Sequence, residues 1–121
     1  MTEIAGPAGS ARLSIVRTTV EGIRVITLRG EIDHDTADGL RRILIPAGGS
    51  GPRHTVVDLD AVTFMDSSGV NAFIAAHHAA HRACGWLRLA NLTEPVRRVM
   101  QIVGLDTVIE CYPTLHKALT H

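Results

Sequence analysis

Aromatic side chains are scarce: Phe, Tyr and Trp make up 3% of the 121 residues. A base-stacking platform for single-stranded nucleic acid needs more of them. Net charge is also lacking, because 12 Lys and Arg balance 12 Asp and Glu. A neutral chain has no basic footprint with which to hold a phosphate backbone. Cysteine occurs only as Cys84 and Cys111, with no C-x-x-C pair. Neither a zinc site nor a thioredoxin-type motif is therefore signalled, and both thiols are expected to be buried and reduced. The sequence has no apolar stretch of about 18 residues and no basic segment leading into an apolar run, so neither membrane spanning nor secretion is signalled. The cytoplasm is the default expectation. After Gly48-Gly49-Ser50-Gly51 no Walker-type lysine follows, so that run reads as a loop and not as a phosphate cradle.

What is present suits one folded domain: 45% hydrophobic and 20% charged residues, without internal repeat or linker. Met1 to Ala11, rich in Gly, Ala, Ser and Pro, is expected to be a flexible tail before a domain over residues 12–121. Alternation from Leu13 to Thr19 and from Ile23 to Arg29 predicts two antiparallel strands with a turn at Glu21-Gly22. Gly30 to Asp35 breaks the pattern, and Asp35 or Thr36 is placed to cap a helix whose apolar face is Ala37, Leu40, Ile43 and Leu44. Pro46 and the glycine run end it. Thr55 to Leu59 reads as an interior strand, with Val62 to Met65 as a connection packed on the core.

Asp66-Ser67-Ser68-Gly69 signals a helix start. Val70, Phe73, Ile74 and His77 are expected on the apolar face of that helix, and Gly85 at its end. Trp86 to Ala90 predicts a strand. A helix follows, capped near Thr93, faced by Val96, Val99, Met100 and Val103, and closed by Gly104. Val108 to Cys111 predicts a last strand and Pro113 to Thr120 a last helix. The order β-β-α-β-α-β-α-β-α predicts an α/β fold: a mixed, mainly parallel sheet with helices packed on it.

Several side-chain groups invite a chemical reading. His77 and His81 stand one helical turn apart, like the ligand pair of H-E-x-x-H, but His78 replaces the catalytic glutamate. Asp33-His34-Asp35 reads as capping before it reads as acid/base chemistry. Asp58, Asp60 and Asp66 stand near the end of a strand where open α/β sheets bind ligands. None of these makes a metal, cofactor or catalytic site. Asp66-Ser67-Ser68-Gly69 differs, because two hydroxyls sit where free N–H groups and the positive end of a helix dipole favour an anion. By itself the segment reads first as a structural N-cap, because Ser and Asp are favoured caps.

The flanking residues go further. Gly30-Glu31-Ile32-Asp33-His34-Asp35-Thr36-Ala37, and then Val57-Asp58-Leu59-Asp60-Ala61-Val62-Thr63-Phe64-Met65-Asp66-Ser67-Ser68-Gly69, resemble the STAS domain of bacterial anti-sigma factor antagonists. The resemblance runs from roughly Arg12 to the C-terminus. It implies a non-enzymatic regulator that binds an anti-sigma factor carrying a GHKL-type serine kinase domain and thereby releases a sigma factor. Phosphorylation of Ser67 by that kinase would end the binding, and a serine phosphatase would restore it. By the same resemblance Asp33, Asp66, Ser67, Ser68 and Gly69 would form the partner-binding surface, with no direct contact to nucleic acid or membrane. Val70-Asn71-Ala72 stands where many relatives have Leu-Gly-Val, a departure that bears on which partner is bound. The alternative is a non-switching STAS scaffold or adaptor in a sensory or transporter complex.

Overall fold

The computed structural model describes residues 12–45 and 53–121. The expected tail over residues 1–11, and the expected loop from Pro46 to Pro52, lie outside them. The first alternating segments form β1 (Leu13–Val20) and β2 (Ile23–Ile32), an antiparallel hairpin in register from Leu13↔Gly30 to Val20↔Ile23. Glu21 (φ 50°) and Gly22 (φ 84°) make its turn, the left-handed pair that suits the twist of a two-residue hairpin. The chain continues through α1 (His34–Leu44), β3 (His54–Met65), α2 (Ser67–Arg82), β4 (Trp86–Ala90), α3 (Glu94–Val103), a 3₁₀ turn (Leu105–Thr107), β5 (Glu110–Tyr112) and α4 (Leu115–Thr120).

The five strands lie in the order β1-β2-β3-β4-β5, and all pairs after the first are parallel. β3 is central and its Val56, Val57, Leu59 and Val62 are fully buried. Successive residues on a strand face opposite sides, and Val56 and Val57 accordingly belong to two separate clusters. Val57 and Leu59 join Ile15, Leu28, Leu40 of α1, Phe73 of α2 and Met100 of α3 in the main core. Val56 joins Ala90 and Ala118, where α4 covers the other side of the sheet with Leu115 and Leu119 beside Trp86.

Several boundaries differ from the sequence expectation. β2 does not stop at Arg29 but runs to Ile32. Its extra residues give Val62 to Met65 backbone partners, so the expected connection is the last part of β3, paired Gly30↔Val62, Glu31↔Phe64 and Ile32↔Met65. The expected strand from Val108 begins instead at Glu110, because the 3₁₀ turn carries the chain past Val108, which is 53% exposed. The last helix starts at Leu115, where the Thr114 hydroxyl caps it by accepting from the Lys117 N–H. Thr93 stands at the start of α3, but its hydroxyl donates to the Val62 carbonyl at 2.6 Å and makes no cap bond. Val103, expected on the apolar face of α3, is exposed at its end.

At the end of α2 the left-handed residue is Cys84 (φ 61°), with the Cys84 and Gly85 N–H groups returning to His81 and Ala80 carbonyls. Cys84 is exposed and Cys111, on the short edge strand β5, is half-buried, so the expected burial of both thiols does not hold. Burial and nearby Asp106 push the Cys111 thiol up to about 11. The buried face of α2 is Gly69, Val70, Ala72, Phe73 and Ala76, which leaves His77 at its margin and half-buried.

Candidate functional site

The site begins with a glycine. Gly30 has φ +117°, and a Cβ there would stand 1.9 Å from the Arg12 carbonyl oxygen. Only a residue without a side chain lets the start of β1 close over β2 at this point. The same Arg12 carbonyl accepts the Glu31 N–H at 2.8 Å. With β2 held to its end, Ile32 pairs with Met65, and the Asp66 N–H donates to the Ile32 carbonyl at 3.2 Å. Both strands then turn into helices at the residue after this pair. The N-termini of α1 and α2 therefore leave the same edge of the sheet side by side.

Each helix is capped by its own aspartate. The Asp33 carboxylate accepts from the Asp35 and Thr36 N–H groups at 3.0 and 3.1 Å, and the Thr36 hydroxyl accepts from the Asp33 N–H at 2.8 Å. Asp33, not Asp35 or Thr36, is therefore the N-cap, in a reciprocal capping box. The sequence reading misplaced the cap because it ended β2 three residues early. Arg12 lies 2.9 Å from Asp33 and 2.7 Å from Asp35. Asp33 thus braces the start of α1, with only 16% of its side chain exposed.

On α2 the Asp66 carboxylate accepts from the Ser68 N–H at 2.8 Å, while the Asp66 carbonyl accepts from Gly69 and Val70. Ser67 is the first helical residue and is exposed. Among the described residues its hydroxyl has no hydrogen-bond partner. Ser68 is half-buried and lines a groove of about 230 Å³ between α1 and α2, with His34, Asp38, Arg41 and Asn71. Gly69 faces inward, where a Cβ would stand 2.6 Å from Met65 Cγ and 2.8 Å from Ile32 Cγ2. The absent side chain lets the first turn of α2 lie on the ends of both strands.

The structure therefore brings Asp33, Asp66, Ser67, Ser68 and Gly69 to one edge. The arrangement presents an exposed hydroxyl at the positive end of a helix dipole. Phe64, 45% exposed beside this edge, was not picked out from the sequence. Its signal was the outward position just before Met65, in a run taken for a connection.

The remaining candidates do not assemble. His77 and His81 have ring centroids 4.4 Å apart, and burial, then His81 and His78, hold the His77 pKa down. Among the described residues no three His, Cys, Asp or Glu side chains converge as metal ligands. Asp58 accepts from the Asp60 N–H and from Asn91 Nδ2, both at 3.1 Å. It fastens the middle of β3 to the end of β4, while Asp66 caps α2 past the far end of β3.

Comparison with known proteins places these features in a family. The model for the STAS domain matches residues 14–118. The anti-sigma-F factor antagonist RsfB of Mycobacterium tuberculosis is 32% identical over 115 residues, 92% of either chain. A solved anti-sigma factor antagonist from Mycobacterium paratuberculosis is 30% identical, covers 89% of this chain and 92% of its own, and superposes with a TM-score of 0.81. The anti-sigma factor antagonist SpoIIAA in its unphosphorylated form is 27% identical over 87% of this chain and 92% of its own, with a TM-score of 0.75.

Proposed function

Because the chain belongs to the STAS-domain family of anti-sigma factor antagonists, we propose that it binds an anti-sigma factor through the edge bearing Ser67 and releases a sigma factor. The anti-sigma factor carries a GHKL-type kinase domain and phosphorylates Ser67, which ends the binding. A serine phosphatase resets it. The chain works in the cytoplasm as a binding protein and neither touches nucleic acid nor needs a membrane. No helix among the described residues is long and apolar enough to cross one.

One observation carries this reading: the Ser67 hydroxyl is exposed and unpartnered among the described residues, beside an aspartate-capped neighbouring helix. Ser68 is the poorer acceptor, because it faces the groove between α1 and α2. Magnitudes support a switch that acts on the surface and spares the fold. A phosphoserine brings about −1.5 to −2 charges. The dipole end offers roughly half a positive charge, which tolerates the group locally but leaves an excess of about −1 to −1.5 facing outward. The first-turn N–H groups of Ser68, Gly69 and Val70 already donate to Asp66, so they do not fold the phosphate in. Asp66 adds to the negative field that a docked partner meets, whereas Arg12 offsets Asp33.

The test is phosphopeptide mapping after incubation with ATP and each GHKL-type kinase of the source organism. Label on Ser67, lost in Ser67→Ala and kept in Ser68→Ala, is expected. The Ser67→Asp variant should keep a near-native melt and lose kinase binding. Equal kinase binding by Ser67→Ala and Ser67→Glu would overturn the switch and leave the scaffold reading.

A further inference from the structure

The groove between α1 and α2 adjoins the switch but is not used by it. It is lined by His34, Asp38 and Arg41 from α1 and by Ser68 and Asn71 from α2, with the buried Ala37 and Ala72 beneath. Two charges on its α1 wall have different fates. Asp38 is neutralised by Arg42 at 2.6 Å, one helical turn away on the same helix. Arg41 makes no ion pair or hydrogen bond through its guanidinium among the described residues and is exposed. Asp38 and Arg41 also line a second hollow along α1, with Arg42 and Ile45. The groove between α1 and α2 thus carries an exposed cation, unpaired among the described residues, on one wall and Ser68 on the other. Asn71 and Ala72, where the chain departs from Leu-Gly-Val, both line it.

Resting on the reading above, we propose that this groove selects the partner: it receives an acidic side chain of the anti-sigma factor against Arg41, with Asn71 as the neutral hydrogen-bonding wall opposite. Three features argue for that occupant. The groove is continuous with the switch edge through Ser68, so a kinase reaching Ser67 lies over it. Its free charge is positive, which calls for a carboxylate. A guanidinium also offers five donors in a plane, which matches a carboxylate in two-point contact. Charges at the rim of an interface set partner choice and association rate more than raw affinity. Ser67 then reports whether binding is permitted, and Arg41 with Asn71 reports to whom.

The experiment is calorimetric titration of the full chain with the purified anti-sigma factor kinases of the source organism, at low and high salt. Variants are Arg41→Glu, Arg41→Lys, Asn71→Gly and Ser67→Asp. Arg41 and Asn71 are exposed, so the Arg41 variants should melt like the wild type and Asn71→Gly only a few degrees lower, as glycine inside a helix does. Arg41→Glu is expected to weaken binding of the cognate kinase by about tenfold at low salt, an effect that shrinks at high salt. Arg41→Lys should stay within about threefold, since the charge is kept. If Arg41→Glu and Asn71→Gly bind like the wild type while Ser67→Asp does not bind, the groove is overturned and the switch stands. If Ser67→Asp also binds like the wild type, or no kinase binds the wild type, the functional reading fails and the groove proposal falls with it.

Discussion

Asp66 donates its N–H to the carbonyl of Ile32, and this bond is the last tie between the two parallel strands before each becomes a helix. The helix caps Asp33 and Asp66 follow that pair directly. The relative height of α1 and α2 is therefore set by the sheet. A partner that reads Ser67 together with the start of α1 meets a surface of fixed geometry, supported from below by the buried pair Ile32 and Met65.

Gly69 tests that support. A methyl group there meets Met65, whose flexible side chain is able to move, and Ile32, whose branched side chain is fixed by the core. Gly69→Ala is expected to cost about 1–3 kcal/mol, the range for overpacking a tight contact. Urea denaturation followed by circular dichroism measures it. Ser68→Ala, with its backbone cap intact, should stay within about 0.5 kcal/mol as the control.

Asp33 combines two interactions that substitutions separate. Asp33→Ala removes the cap and the ion pair to Arg12 together, and is expected to cost about 1–2 kcal/mol. Asp33→Asn keeps a good capping side chain and loses only the charge. Its cost should be under about 1 kcal/mol and should shrink with added salt, because Arg12 is half exposed. Denaturation midpoints at two salt concentrations separate the two.

Stability should fall in mild acid through His77. Burial, then His81 and His78, lower its pKa from the ordinary 6.5. As pH drops below about 6.5 the unfolded chain takes up this proton before the folded chain does, so the unfolded state gains. The contribution is fully present above that pH and is lost as pH falls towards the folded value. His77→Leu is expected to flatten this dependence. Denaturation midpoints for both proteins, from neutral pH down to about 5, give the slopes to compare.

Much of the fold was legible because its strands are short apolar runs separated by strong punctuation. Glu21-Gly22 marked the hairpin, and Gly104 closed α3 as its φ of 76° requires. What was not legible depended on contacts distant in sequence. Nothing local in Gly30-Glu31-Ile32 says strand; those residues stay extended because Arg12 accepts the Glu31 N–H and Val62 to Met65 pair alongside. That one omission displaced the first helix cap from Asp33 and turned the end of β3 into a connection. Ser67 was visible as a helix-start hydroxyl, and the resemblance of the residues around it implied a phospho-acceptor. The different exposures of Ser67 and Ser68 were not visible, since they depend on where α1 packs. Arg41 did not stand out in the sequence, because its position over a groove is a property of two helices together.

The left-handed turn at Cys84 has a practical consequence. It presents an exposed thiol at the far end of a 16-residue helix whose first residue is Ser67, about 24 Å away along the axis. The other thiol, Cys111, is half-buried and pushed up to about 11, so it reacts far more slowly near neutral pH. The natural sequence thus already carries a single-site attachment point. A dye placed there reports on α2 by rotation or energy transfer while the edge bearing Ser67 remains untouched.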